Sequence, residues 1–266
     1  MSLIENTTQS RLLRISNLFG VGATTTRTNF TVNLNRMTET NNIVRCVCKS
    51  VSFPNTGYNV ISSGARQNNV FNYEIVADAV YTIVIDEGFY TTQELMTIIS
   101  AAIEAQLKLI DAGATATMTL DPYDKKIILT VSGTEAVVLS PAPQSLNVNM
   151  GNTVLSGAIL NSAYKFDSLR DLYGLKNVYV HSTTIAEGNL VDADVENHDI
   201  LAEVPITVPF GSMVYYESQD DELDSINYSS VRNYDQITIS LRDIDNNIIE
   251  LAGGGETVVV CKLYYV

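Results

Sequence analysis

The chain has 266 residues, of which 45% are hydrophobic and only 17% charged. That apolar share can build a core, so wholesale disorder is excluded. The charged share lies below the roughly 25% of ordinary globular chains, which favours a surface partly covered by a partner, or one coated with Asn, Ser and Thr, in which this chain is also rich.

The net charge of −14 is unevenly placed. Residues 1–66 carry seven Lys/Arg and two acids, while residues 67–266 carry nine Lys/Arg and 28 acids. Between Lys176 and Arg232 there are 11 acids and no Lys or Arg. One end of the molecule is thus suited to an anionic neighbour, and the rest repels itself and stays dispersed. Scattered, solvated charge is an equally good explanation. No apolar run reaches the ~20 residues that span a bilayer, and Met1–Ser10 lacks the basic–apolar–small order of a secretory signal.

Residues 1–26 end in Gly20-Val21-Gly22-Ala23-Thr24-Thr25-Thr26 but carry Leu12, Leu13, Ile15, Leu18 and Phe19. They are expected to form an N-terminal arm docked on a neighbour or on the domain's own base, or a frayed terminus. Thr28–Leu34 alternates, placing Phe30, Val32 and Leu34 on one face of a strand. Ile43–Phe53 reads as a longer strand that stops at the turn signal Pro54-Asn55-Thr56-Gly57. Cys46 and Cys48 lie two apart in it and so share a face, and neighbours that close rarely bridge each other. With Cys261 they suit a reducing compartment, as small core residues. A zinc site would need a fourth ligand and a better spacing.

Tyr58–Ile61, Asn69–Ala77 and Tyr81–Ile85 read as further strands. Thr91 and Glu94 then form a capping box. They open a helix over about 91–110, with Leu95, Ile98, Ile99, Ala102, Ile103, Leu107 and Ile110 on one face. Thr115–Leu120 and Lys126–Val131 form a hairpin around Asp121-Pro122-Tyr123-Asp124. Residues 139–168, rich in Pro, Ser, Asn and Gly, are expected to be loop, Asn177–His181 a short strand, and 184–204 an acidic loop. Pro205–Tyr216 is extended and aromatic. Asp235–Leu241, Ile248–Leu251 and Thr257–Val266 close the chain as strands, for about ten or eleven in all. The fold class expected is therefore all-β: a single β-sandwich with one accessory helix and extra strands or an insertion. The main domain spans 27–266, with an insertion or long loops around 111–168 and 183–204.

No catalytic, cofactor-binding or metal-binding residue is assigned, and the chain is not expected to be an enzyme. His181 stands beside Ser182 with no carboxylate nearby in sequence, and no nucleophile-elbow pattern marks a serine, so a structural histidine is favoured. Asp192, Asp194, Glu196 and Glu203 fall at positions 1, 3, 5 and 12 of a calcium-loop spacing, but Asn197 stands where Gly is needed and helical flanks are missing. A solvated acidic loop is the stronger interpretation. Asp220-Asp221-Glu222 with Asp224 is an exposed like-charge run. Gly253-Gly254-Gly255 lacks the Lys-Ser/Thr and the helix of a phosphate loop. Trp is absent, which weakens a sugar-binding platform, although the 14 Tyr can substitute. The acidic balance and missing aromatic–basic interleaving oppose sequence-specific nucleic-acid binding.

Five segments in order, FTVNL (Phe30–Leu34), SVSFPNTGYNV (Ser50–Val60), GFYTTQELMTII (Gly88–Ile99), LRDLYGLKNVYVHS (Leu169–Ser182) and QITISLRDIDNNIIEL (Gln236–Leu251), cover most of residues 28–266. Together they resemble the jelly-roll penton and minor capsid proteins of icosahedral double-stranded DNA viruses: virophages, large DNA viruses of protists and polinton-like relatives. The most specific part is Gly-aromatic-Tyr before the Thr-capped helix, followed later by Leu-Tyr-Gly-Leu.

The resemblance implies a structural protein of the virion, assembled in the host cell. It implies a single jelly roll that forms a homopentamer at the five-fold vertices. Its neighbours would be trimers of a double jelly-roll major capsid protein and other minor capsid proteins. The N-terminal arm would lie toward interior DNA or membrane. A ligand-binding β-sandwich, such as a glycan- or receptor-binding spike module, is the competing possibility. Tyr215, Tyr216, Tyr264 and Tyr265 suit either subunit contacts or the core.

Overall fold

The computed structural model describes residues 9–21, 26–34, 42–62, 64, 66–76, 79–172, 174–186, 199–222 and 224–265. In chain order the elements are β1 (Gln9–Ser16), β2 (Asn29–Asn33), β3 (Ile43–Pro54), β4 (Val70–Ile75), β5 (Val80–Val84), α1 (Thr92–Ile110), β6 (Thr115–Leu120), β7 (Ile127–Ser132) and β8 (Val137–Leu139). They continue with α2 (Leu146–Asn149), β9 (Ser162–Lys165), β10 (Asn177–His181), β11 (Ile200–Pro205), β12 (Met213–Glu217), β13 (Ser225–Arg232), β14 (Gln236–Arg242) and β15 (Val258–Tyr265). The chain divides into two compact units, Met1–Gly57 with Leu175–Val266, and the inserted Tyr58–Gly174.

The first unit is a jelly roll, visible in how its strands pair. The first strand pairs with the last (β1 with β15) and the second with the last but one (β2 with β14). β3 pairs with both β12 and β13, and β10 pairs with β11. Such nested antiparallel pairing is a long hairpin rolled into two sheets. One sheet has the order β1-β15-β3-β12, with β13 also on β3, and the other has the order β11-β10-β14-β2. Alternation sets the inner faces. Ile15, Val51, Phe53 and Val259 are buried from the first sheet; Phe30, Val178, Val180, Ile237, Ile239 and Leu241 are buried from the second. They join one apolar cluster.

The second unit has its own core. Its sheets are β5-β4-β8 and β6-β7-β9. The capping box at the start of α1 forms as expected: Glu94 N–H donates to Thr91 Oγ1 at 3.3 Å, and Thr91 N–H donates to Glu94 Oε2 at 2.7 Å. The helix buries Leu95, Met96, Ile99, Ile103 and Leu107. Ile98 and Ile110, expected on that face, are exposed instead.

Polar side chains complete this unit's pairing. The buried Asn147 amide accepts Asn72 N–H and donates to Asn72 O, completing β4 where its strand partner ends. Asn59, also buried, accepts Tyr90 N–H and donates to Tyr90 O and Leu172 O.

Several expectations change. Within the described part of residues 1–26, Gln9–Ser16 is a strand paired along its whole length with β15, so this stretch docks on the chain's own sheet. The inserted unit runs 58–174, wider than 111–168, because β4, β5 and α1 pack into the same core as the hairpin. Residues 139–168 are not all loop: α2 and β9 lie there, and β8 ends at Leu139. Part of the 184–204 acidic loop is β11, while residues 187–198 lie outside the described residues. Tyr58–Ile61 contributes one bridge, Val60 to Gly88, and Ile248–Leu251 one bridge, Ile248 to Arg242. β13 was not expected at all.

Candidate assembly surface

The sheet of β1, β15, β3 and β12 presents the most distinctive surface of the jelly-roll unit. Its outer face is pinned by Asp221, in the turn between β12 and β13. That carboxylate accepts from Lys262 Nζ at 2.8 Å, Lys49 Nζ at 3.1 Å and Tyr264 OH at 3.3 Å. The bonds from Lys262 and Lys49 hold its carboxyl down to about 2. Arg45 lies over the Tyr264 ring, 4.5 Å from its centre, a cation–π contact. The run 220–224 is thus partly solvated, as expected, but one of its acids is a structural anchor.

Both edges of this sheet expose apolar side chains. At the β1 edge Leu12 is exposed, and beyond it a 3-10 turn, Asn17–Phe19, exposes Leu18 (67%) and Phe19 (64%). The turn is fixed from both sides. Leu18 N–H donates to Ser16 Oγ at 3.2 Å, Asn17 N–H donates to Thr257 O at 3.2 Å, and Thr257 N–H donates back to Asn17 Oδ1 at 2.8 Å. At the opposite edge β12 exposes Met213 and Tyr215 (66%). The four tyrosines therefore divide. Tyr215 is a surface residue, Tyr216 packs against the core, Tyr264 sits under Arg45, and Tyr265 OH accepts from Arg11 Nε.

In the inserted unit, the β6–β7 turn presents Tyr123, 93% exposed. Asp121 Oδ1 accepts the N–H groups of Tyr123 and Asp124, and Lys165 pairs with both carboxylates. The Lys165 bond, followed by the Tyr123 N–H bond, lowers the Asp121 carboxyl below its ordinary range.

His181 is buried, and its Nδ1 lies 2.7 Å from Asp199 Oδ1, a carboxylate 18 residues away that sequence proximity could not reveal. An ionised carboxylate can only accept, so Nδ1–H donates. Ser182 Oγ meets Thr184 Oγ1 and accepts Ile185 N–H, which gives it a turn-closing role. Of the calcium-loop spacing, Asp192–His198 lies outside the described residues. Glu203 stands in β11, where it accepts from Asn177 Nδ2 at 2.6 Å and Tyr179 OH at 3.3 Å. Among the described residues no group of three or more His, Cys, Asp or Glu is placed to hold a metal ion. Cys46, Cys48 and Cys261 are free and buried in the sandwich core, Cys261 directly opposite Cys48. Cys261 beside them, then burial, push the Cys46 and Cys48 thiols up.

No family model matches the chain, and no curated protein matches it. Among solved structures it is similar to the penton protein of mavirus, with a TM-score of 0.56 over 97% of this chain and 100% of that one, at 12% sequence identity. The likeness is one of fold. It extends along essentially the whole of both chains, and with the nested strand pairing it establishes an all-β, jelly-roll-like sandwich.

Proposed function

We propose that this chain is a structural protein of a viral capsid, the vertex protein, assembling as a homopentamer at the five-fold positions of an icosahedral double-stranded DNA virus. The observation that carries the proposal is the full-length likeness of fold to a penton protein. The apolar edges of the jelly-roll sheet support it, because a ring of identical subunits needs two different surfaces on each copy. The partners proposed are other copies of the chain, trimers of a double jelly-roll major capsid protein and other minor capsid proteins. An interior contact with DNA or an anionic membrane rests on the basic balance of residues 1–66. The role is one of shape and contact, with no reaction assigned. Negative-stain class averages of the purified chain should show five-fold rings, and a uniformly monomeric field would contradict the proposal.

One observation favours a second interpretation, a receptor- or glycan-binding module. Tyr123 stands almost fully exposed on a turn fixed by Asp121 and Lys165, and a preorganised tyrosine is a good contact residue. A glycan-array profile that is flat for the intact chain and unchanged by Tyr123→Ala would remove the glycan-binding form of this alternative.

A further inference from the structure

The strand register places unlike charges at matching heights on the two edges of one sheet, and exposed apolar side chains lie toward the same end of both edges. Arg14 pairs with Val260, Val260 with Ser50, and Ser50 with Glu217, so Arg14 and Glu217 end one row running straight across the sheet. The next row, Ile15, Val259, Val51 and Tyr216, turns inward to the core. The Arg14 row therefore faces outward. One row further, Ser16, Val258, Ser52 and Tyr215 align. Leu18 and Phe19 follow Ser16 toward the same end of the sheet as Met213, which pairs with Pro54. Each edge thus reads, from one end to the other, as a charge followed by apolar side chains: Arg14 on β1 and then Leu18 and Phe19 in the turn that follows it, Glu217 and then Tyr215 and Met213 on β12.

We infer that these edges are the two halves of one head-to-tail contact, in which the β1 edge of one copy docks on the β12 edge of the next. A side-by-side step across the sheet brings Arg14 to Glu217 and the Leu18–Phe19 turn to Tyr215 and Met213. Neighbouring strands in the sheet are antiparallel, so β1 and β12 run in opposite directions and meet antiparallel between copies. Arg14 also pairs with Glu256 of its own chain at 2.9 Å, yet its side chain is 61% exposed, which leaves it accessible to a second carboxylate. The two patches differ, so the contact is heterologous and its repetition makes a ring or a filament, not a two-fold dimer. The occupant of each edge is a second copy, because each edge complements the other in charge and apolar character. This inference rests on the ring-forming role proposed above and names the surfaces that would build it.

The test uses the full chain with cysteines introduced at exposed positions, and the wild type, whose thiols are buried, as control. An equal mixture of Leu18→Cys and Met213→Cys, treated with a short bis-maleimide, should give a covalent dimer. Neither variant alone should, and the double variant should give a ladder ending in a closed ring. In parallel, native mass spectrometry at fixed concentration should show that Arg14→Glu and Glu217→Arg each lower the ring fraction by at least roughly tenfold, which corresponds to about 1.4 kcal/mol summed over the whole ring, and that the combined swap restores it. A loss caused by misfolding at Arg14 would not be rescued by a change at Glu217. Wild-type rings without these cross-links, or cross-links within either single-cysteine variant alone, overturn the inference and leave the vertex proposal standing. A wild-type chain that is monomeric at every concentration removes both.

Discussion

Asn59 holds three segments of the inserted unit through one amide group. Its oxygen takes Tyr90 N–H at 2.9 Å, and its nitrogen serves Tyr90 O and Leu172 O at 2.8 and 2.9 Å. Asn59→Leu keeps the side-chain size but strands the Leu172 carbonyl in the interior and the two half-buried backbone groups of Tyr90, and should cost about 2 kcal/mol in a denaturant titration. Asp221 acts at the other unit's surface. Its carboxyl is held lower in the folded chain than in the unfolded one, so its contribution is complete above the ordinary value of 3.8 and fades as pH falls through about 2. Thermal unfolding followed over that window should show a loss of stability that Asp221→Asn reduces, with Asp221→Asn lowering Tm by about 2 °C at neutral pH. Neither residue announced itself in the sequence. Asn59 lies in a stretch that reads as a short strand with nothing to mark its side chain, and Asp221 lies in a run of acids whose neighbours resemble it. Their partners lie 31 to 113 residues away for Asn59, and 41 to 172 for Asp221's side-chain bonds, so no local pattern could assign them.

At the scale of elements, legibility followed the strength of the local signal. α1 was readable because a capping box and a 3.6-residue apolar repeat act within one segment. Thr91→Ala removes the side-chain half of that cap and should cost about 1 kcal/mol, seen as faster amide exchange in the first turn of α1. β2 is readable from alternation, and β3, β14 and β15 as strands bounded by turn signals. β9 was not, because Ser162-Ala163-Tyr164-Lys165 buries no residue fully and is held by its pairing to β7. β13 was hidden by serines and asparagine, and α2 by its single turn. Between α2 and β9, Gly151 adopts φ +95°, and a Cβ there would lie 2.3 Å from Ser168 O. Gly151→Ala should therefore destabilise the inserted unit by more than 2 kcal/mol in chemical denaturation, from backbone strain and collision together. A milder loss would mean that the 150–168 segment yields.

For the whole molecule, the sequence supports an all-β sandwich with an insertion around 111–168, and the compact inserted unit extends further, over Tyr58–Gly174. Apolar alternation in Gln9–Ser16 is interrupted by Arg11 and Arg14, so the first strand resembled an arm. Its strand character comes from β15, some 240 residues later, a partner invisible to local reading. The same non-local pairing defines the jelly roll and leaves β1 and β12 as opposite edges of one sheet. Assembly through those edges gives the buried thiols a prediction of their own. Cys46, Cys48 and Cys261 should stay unreactive toward maleimide in native protein and react when the sandwich unfolds, whether or not rings are present. The most direct test of the vertex role is native mass spectrometry of the wild-type chain over a concentration series. A dominant species of five copies, dissociating to monomers on dilution without stable intermediates of two, is the predicted result. A chain that remains monomeric, or that stops at a two-fold dimer or a trimer, would contradict it.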